Sequence, residues 1–300
     1  MRGIKILLVI CCILILGSCN KFKGNQEIPA YLHVDGFSLR TNYADEGAAT
    51  HKITDVWLYV DDSYQGCYEL PATIPVLEHG KHKVTLYPGI KMNGIASTRI
   101  IYPFYKPYII DSYDFGDLDK LVGQVDTISP STRYYTSDES TIKFWFEDFE
   151  QPSIKFEKTH ASDTAMIKTE RNDENAWLSD DSQYSGHIWI GDTLNYVCVS
   201  TPELPAFPGQ GNYVLVEMDY KCETEFLVGL YASITGSIND IELVYVNPSE
   251  DWNKIYINLG PSISDNANNA LYFKLYIRAS VEEGQEANLY FDNIKIVYRD

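Results

Sequence analysis

Three groups of side chains in this 300-residue sequence have types and spacings suited to chemistry. Glu217 and Asp219 alternate along an apolar stretch, and Glu223 would share their face if the chain stays extended. Two carboxylates about 5 Å apart are what retaining glycoside cleavage requires, one as nucleophile and one as acid/base. The simpler expectation is a charged stripe facing solvent. His79 and His82 form a His-x-x-His, but on an expected turn with no cysteine nearby, so a solvated turn outweighs zinc. Trp177, Tyr184 and Trp189 lie in a polar, loop-containing stretch. Exposed rings of this kind stack on pyranose faces while nearby polar groups bond the hydroxyls, so these three are the candidate ligand-binding residues. Trp252, at the head of a strand, is expected in the core. No nucleophile elbow, zincin helix, Walker loop or Rossmann glycine pattern is present, and no catalytic residue is assigned.

The chain that must position these groups is acidic. Lys and Arg number 24 against 42 Asp and Glu, a formal net charge of −18. Apolar residues make up 45%, and Tyr, Phe and Trp together number 40. That length can bury one large core or two ordinary ones, and the aromatic content argues against global disorder. A nucleic-acid binder needs a basic footprint, which this composition does not supply.

Arg2 and Lys5 precede an uninterrupted apolar run from Ile6 to Leu16, too short for a comfortable membrane span. With Gly17 and Ser18 before Cys19, residues 1–18 read as a signal peptide. Leu16-Gly17-Ser18-Cys19 resembles the bacterial lipobox, which implies that Cys19 is lipidated and that the protein is anchored to the outer membrane rather than spanning it. Surface-exported lipoproteins of glycan-degrading Gram-negative bacteria tend to carry acids just after that Cys. The tether 19–27 has none until Glu27, so both the periplasmic and the surface face stay open. Cys67, Cys198 and Cys222 remain. Cys198 and Cys222 are either bridged or free.

Beyond the leader the sequence shows short period-two runs rich in Tyr, Val, Ile and Thr, punctuated by Gly, Pro, Asn and Asp. This predicts an all-β protein of sandwich type. Two units are expected, residues 28–130 and 140–300, joined by a linker over 131–139. Their formal charges differ, −4 over 20–130 and −16 over 131–300, which supports the division.

In the first unit, the Val56–Val60 run, the Asp61-Asp62 turn, Gly66, Leu70-Pro71 and a hairpin turn at His79-Gly80-Lys81-His82 follow in order. This arrangement resembles PEGA-type and carboxypeptidase-regulatory-like Ig-like modules, which implies a spacer without chemistry of its own. Tyr102-Pro103-Phe104-Tyr105-Lys106-Pro107-Tyr108 reads either as edge-strand and interdomain packing or as an exposed stacking surface.

The second unit opens with Phe144-Trp145-Phe146-Glu147-Asp148-Phe149-Glu150 and closes with Leu289-Tyr290-Phe291-Asp292-Asn293-Ile294. These ends resemble the galactose-binding-like β-jelly roll of many carbohydrate-binding modules. The resemblance implies a structural Ca²⁺ held by Glu150 and Asp292, side by side on the first and last strands. The Glu217 run is similar to the catalytic strand of concanavalin-like glycoside hydrolases but breaks its spacing at Lys221 and Cys222. The expectation is a non-catalytic, lipid-anchored envelope protein that binds glycan through its jelly roll. The alternatives are a structural or assembly component with an envelope protein partner, and a cryptic glycoside hydrolase at Glu217 and Asp219.

Overall fold

A computed structural model of the chain describes residues 29–116, 125–136, 141–204, 207–208, 211–267 and 269–299. The expected leader, Cys19 and the tether lie outside the described residues, as does part of the expected linker. Among the described residues no helix is long and apolar enough to cross a membrane.

The first unit comprises β1 (Ala30–Val34), β2 (Ser38–Arg40), β3 (Asp55–Val60), β4 (Ser63–Glu69), β5 (Ala72–Val76), β6 (Lys81–Lys91), β7 (Arg99–Ile101), β8 (Tyr108–Asp114), β9 (Val125–Ile128) and β10 (Ser131–Arg133). In β3 the alternation works as expected: Val56, Leu58 and Val60 are buried while Trp57 and Tyr59 face the other way. Asp61 and Asp62 both adopt left-handed φ, 47° and 63°, and join Val60 to Ser63 directly. That is a two-residue hairpin of the kind Asp tolerates well. The expected hairpin at His79–His82 is different. β5 pairs with β1 and β6 pairs with β3, so this turn carries the chain from one sheet to another. One sheet runs β5-β1-β9, a short pair joins β10 to β2, and the other sheet runs β4-β3-β6-β7 with β8 also on β6. β10 occupies residues expected as linker. It belongs to the first unit because it pairs in parallel with β2.

The second unit comprises β11 (Ile142–Glu147), β12 (Glu157–Lys158), β13 (Ile167–Lys168), β14 (Gly186–Ile190), β15 (Tyr196–Ser200), β16 (Val214–Cys222), β17 (Phe226–Ile234), β18 (Ser237–Val246), β19 (Ser249–Asn258), β20 (Ala270–Ser280) and β21 (Ala287–Arg299). A six-stranded sheet runs β13-β14-β21-β16-β19 with β11 also on β21, and a five-stranded sheet runs β12-β15-β20-β17-β18. The first and last strands of the unit do lie side by side, Phe144 opposite Val297. The fold is all-β, with a jelly-roll-type sandwich as its second unit. Val216, Met218, Val228, Leu230, Leu275, Ile277, Leu289 and Phe291 fill the space between its sheets. Each such apolar side chain contributes about 1.5–3 kcal/mol through burial.

β16 is buried on both faces. Val216, Met218 and Tyr220 point into the sandwich, whereas Leu215, Glu217 and Asp219 point at the first unit. Leu215, Tyr256 and Val297 belong to the first unit's apolar cluster. The expectation that Glu217 and Asp219 form a solvent-facing stripe therefore does not hold: a second layer of protein covers that face.

Candidate functional site

The open side of the sandwich is the outer face of the five-stranded sheet. Phe273, Leu275 and Ile277 of β20 turn inward, so Tyr272, Lys274, Tyr276 and Arg278 turn outward. On β17 the same parity brings Gly229 and Tyr231 to that face, and Asp240 of β18 stands opposite Tyr231. Gly229 lies opposite Tyr276. A Cβ at Gly229 would sit 2.0 Å from the Tyr276 ring, so only glycine lets that ring lie across β17. Tyr231 packs on Tyr276 with centroids 4.4 Å apart, and the Arg278 guanidinium sits 4.7 Å from the centre of the Tyr276 ring.

Hydrogen bonds lock these groups. Tyr276 donates to Asp240 Oδ1 at 2.5 Å, and Arg278 Nη2 donates to Asp240 Oδ2 at 2.5 Å. Arg278 Nη2 is also 3.4 Å from the Tyr231 hydroxyl, which contacts Cys198 Sγ at 3.4 Å. Burial pushes the Tyr231 hydroxyl up to about 12, with the Cys198 contact adding to the shift, so it stays protonated at neutral pH. A cavity of about 520 Å³ runs over this face, lined by Lys158, Tyr231, Ser233, Asp240, Tyr272 and Lys274 among others. A second cavity of about 310 Å³ on the same sheet is lined by Tyr196, Glu242, Tyr245 and Arg278. Aromatic faces flanked by fixed donors and acceptors suit a polyhydroxylated ligand. Sequence reasoning missed this site. Its signal was the strict alternation Tyr272, Lys274, Tyr276, Arg278, which puts the tyrosines and charged groups of β20 on one face.

The three aromatic residues expected to bind ligand are not brought together here. Trp177 lines a separate cleft between the two units with Trp252, which is thus not a core residue. Tyr184 packs against the sandwich core and carries the Lys168 ammonium 3.8 Å above its ring. Trp189 is half-buried on β14, opposite Asn288 and facing away from the core.

Glu217 and Asp219 lie in a seam between the units. Glu217 is fully buried and accepts hydrogen bonds at Oε1 from the Tyr102 hydroxyl and from the Tyr134 hydroxyl, the latter at 2.7 Å. Lys254 Nζ is 3.6 Å from Glu217 Oε2 and 3.3 Å from Asp219 Oδ1. Lys295, also fully buried, donates to the Ala48 carbonyl at 2.6 Å. Tyr105 and Tyr256 complete the packing, so the aromatic–proline run is an interdomain wedge rather than an exposed stacking surface. A polysaccharide has no path to Glu217 in this arrangement.

Glu150 and Asp292 do converge, through Ser182, whose Oγ is 3.5 Å from Glu150 Oε1 and 3.4 Å from Asp292 Oδ2. One oxygen of Glu150 and both of Asp292 already meet donors. Glu150 Oε1 accepts from the Gln183 and Tyr184 amides at 2.8 and 3.0 Å. Asp292 accepts from Ser185 Oγ at 2.7 Å and from the Asn293 amide at 2.6 Å. Burial pushes the Asp292 carboxyl well above the usual carboxylate range. Ca²⁺ takes six to eight oxygens, and among the described residues no three His, Cys, Asp or Glu side chains are grouped to hold a metal ion. The pair as arranged fits a hydrogen-bonded clasp better than a calcium shell. Asn293, at φ 47°, sits where β21 slips register against β16, so this segment is a bulge inside the sheet.

His82 Nδ1 lies 2.7 Å from Asp61 Oδ2, and its Nε2 lies 2.8 Å from the His79 carbonyl. Its ring nitrogens are therefore engaged within the turn. All three described cysteines are free. Cys198 is on the outer side of the five-stranded sheet with Leu227 and Tyr276, and Cys222 is in the sandwich core. That separation is why the possible bridge between them does not form.

No protein-family model and no curated protein matches the chain. Solved structures do. The xylan-binding domain from a family 22 carbohydrate-binding module is 15% identical with a TM-score of 0.35, covering 52% of this chain and 93% of its own. A family 11 carbohydrate-binding module from Clostridium thermocellum, solved with a β-1,3-1,4-mixed-linked tetrasaccharide, is 12% identical with a TM-score of 0.35, covering 51% of this chain and 94% of its own. A family 29 carbohydrate-binding module is 9% identical with a TM-score of 0.33, covering 52% and 88%.

Proposed function

We propose that this chain is a non-catalytic, lipid-anchored protein of the cell envelope whose second unit binds a glycan across the open face of its five-stranded sheet. The observation that carries the binding is the cavity lined by Tyr231, Tyr272, Asp240 and Lys274, with Tyr231 and Asp240 held in place by the buried Tyr276 and by Arg278. Tyrosine faces supply stacking area at small entropic cost, and the locked carboxylate and guanidinium supply directional hydrogen bonds. The anchor rests on the lipobox-like Leu16–Cys19, with Cys19 as the acylated residue and the outer membrane as the address.

Affinity electrophoresis of the protein in gels containing xylan, mixed-linked β-glucan or mannan tests the binding. Retardation by at least one polymer is expected, and Tyr231→Ala should weaken it about tenfold, the equivalent of one stacking contact. No retardation in any gel sinks the reading.

A protein partner is the second reading, favoured by one observation. Ile238 at 61% and Tyr245 at 56% exposure stand at the two ends of the edge strand β18, and Leu271 at 69% stands at the start of β20 in the same sheet. An apolar rim of that kind suits an envelope protein. Co-purification of a stable partner that is lost on Ile238→Asp, with no glycan retardation, would select it.

A further inference from the structure

The sealed seam does not extend across the whole width between the units. Past Asp219 it opens into a cleft of about 660 Å³, walled by residues 48–52 of the first unit and by 177–181 and 252–254 of the second. Trp177 and Trp252 meet there edge to face, with centroids 5.7 Å apart at 85°. Trp252 Nε1 donates to the Asn175 carbonyl at 3.2 Å, which fixes the corner. Both indoles are half-buried and so keep ring surface toward the cleft.

The charged groups lining this cleft are unequally satisfied. Lys52 Nζ donates to Asn253 Oδ1 at 2.5 Å. Lys254 Nζ donates to Thr50 Oγ1 at 3.0 Å and stands between Asp219 and Glu217, which compensate its charge. The acids are satisfied only in part, since Lys254 reaches one oxygen of Asp219. Asp219 is only 2% exposed, yet its Oδ2 has no hydrogen-bond partner. Asp180 and Asp181 are exposed, and among the described residues neither is in an ion pair. A buried carboxylate oxygen without a donor is costly to maintain and is satisfied when a ligand brings one. Residual negative charge beside two indoles is an environment that attracts a cation.

We propose that this cleft is a second binding site, and that it takes a saccharide carrying a free amine. The sugar ring packs into the Trp177–Trp252 corner. Its ammonium faces Asp180, Asp181 and the unpartnered oxygen of Asp219, and its hydroxyls meet Thr50, Ser179 and Asn253. The site lies against the opposite sheet from the tyrosine groove and does not rest on that groove binding anything. Since residues 48–52 form one wall, the first unit takes part in recognition and is more than a spacer.

The test is titration of the full-length protein with a de-N-acetylated chito-oligosaccharide, its N-acetylated counterpart and a lysine-rich peptide, read by tryptophan emission and calorimetry. The cavities on the tyrosine face are lined by no tryptophan, so the emission change separates the two sites. Saturable binding of the free-amine oligosaccharide is expected, about tenfold weaker for the N-acetylated form and about tenfold weaker in Trp177→Ala, as loss of a cation–π or stacking contact implies. Asp180→Asn with Asp181→Asn, both exposed and safe for folding, should also weaken it and reduce its salt dependence. Equal binding of the two oligosaccharides, no saturable response, or indifference to Trp177→Ala overturns the proposal. Tighter binding of the peptide would overturn it in favour of a protein ligand.

Discussion

The two outer faces of the jelly-roll sandwich carry the same kinds of residue and live in opposite environments. On the six-stranded sheet, Glu217, Lys254, Lys295 and Tyr256 are covered by Tyr102, Tyr105 and Tyr134 of the first unit. On the five-stranded sheet, Asp240, Glu242, Lys274, Arg278, Tyr231 and Tyr272 line cavities open to solvent. The contrast teaches that cover, and not composition, sets what a charged aromatic face does. Under cover, each ion costs several kcal/mol in lost hydration and must be matched by donors and counter-charges. In the open, an ion pair is worth at most about 1 kcal/mol, and the same groups remain available to a ligand.

The largest expected effect breaks the covered side. Glu217→Ala strips the acceptor from Tyr102 and Tyr134 and a partner from Lys254, and should destabilise the protein by about 3–5 kcal/mol in urea denaturation. Glu242→Ala on the open face, which removes a 3.5 Å contact to Arg278 and an exposed 2.9 Å hydrogen bond from the Tyr245 hydroxyl, should cost about 1 kcal/mol or less. Equal costs would abolish the comparison.

Next is pH. Burial lowers Lys295 from its ordinary 10.5 to about 8, despite the opposing attraction of Glu217. The folded protein therefore gives up this proton before the unfolded chain does. Between about pH 8 and 10.5 the unfolded state binds more protons, so stability rises with pH across that window. The full penalty, about 3 kcal/mol by linkage, is present below it. Denaturation midpoints at pH 7 and 9.5 should show the rise in wild type, and Lys295→Met should remove this component of it.

A smaller effect sharpens the open side. Gly229→Ala drives a methyl group into the Tyr276 ring and should cost about 1–3 kcal/mol, with weaker glycan retardation as the buried Tyr276 ceases to hold Tyr231 and Asp240 in the groove. Unchanged binding would mean that the groove does not depend on Tyr276 for its shape. The smallest effect expected is that of calcium. With Glu150 and Asp292 engaged by Ser182, Ser185 and main-chain amides, millimolar Ca²⁺ or EDTA should move the melting midpoint by less than about 2 °C. A larger rise with Ca²⁺ would mean that the clasp opens to admit the ion.

Much of the fold was legible in the residues. The Val56–Val60 alternation and the Asp61-Asp62 turn follow from period-two patterning and turn chemistry, whereas the adjacency of the Phe144 and Ile296 strands is what the resemblance of the end motifs to a jelly roll implied. The site was less legible. Tyr272-Phe273-Lys274-Leu275-Tyr276 shows two faces without saying which pair of faces meets in the core and which is left open. Trp177, Tyr184 and Trp189 stand out more in the sequence because they lie in polar stretches. Of these, Trp177 alone lines one of the cavities described, in the company of Trp252.

By itself the sequence determined the all-β class, the strand parity, the concentration of acid in the second unit and a lipobox-like start. Each is local, set by neighbouring side chains and by counting. The tertiary structure alone decided that Glu217 is sealed and Asp240 is open, since both read as charged residues on β-strands. Sealing Glu217 depends on hydroxyls from Tyr102 and Tyr134, 115 and 83 residues away. A period-two pattern reports which side of a strand a residue takes. It does not report what arrives to cover that side, because the cover comes from long-range packing between units.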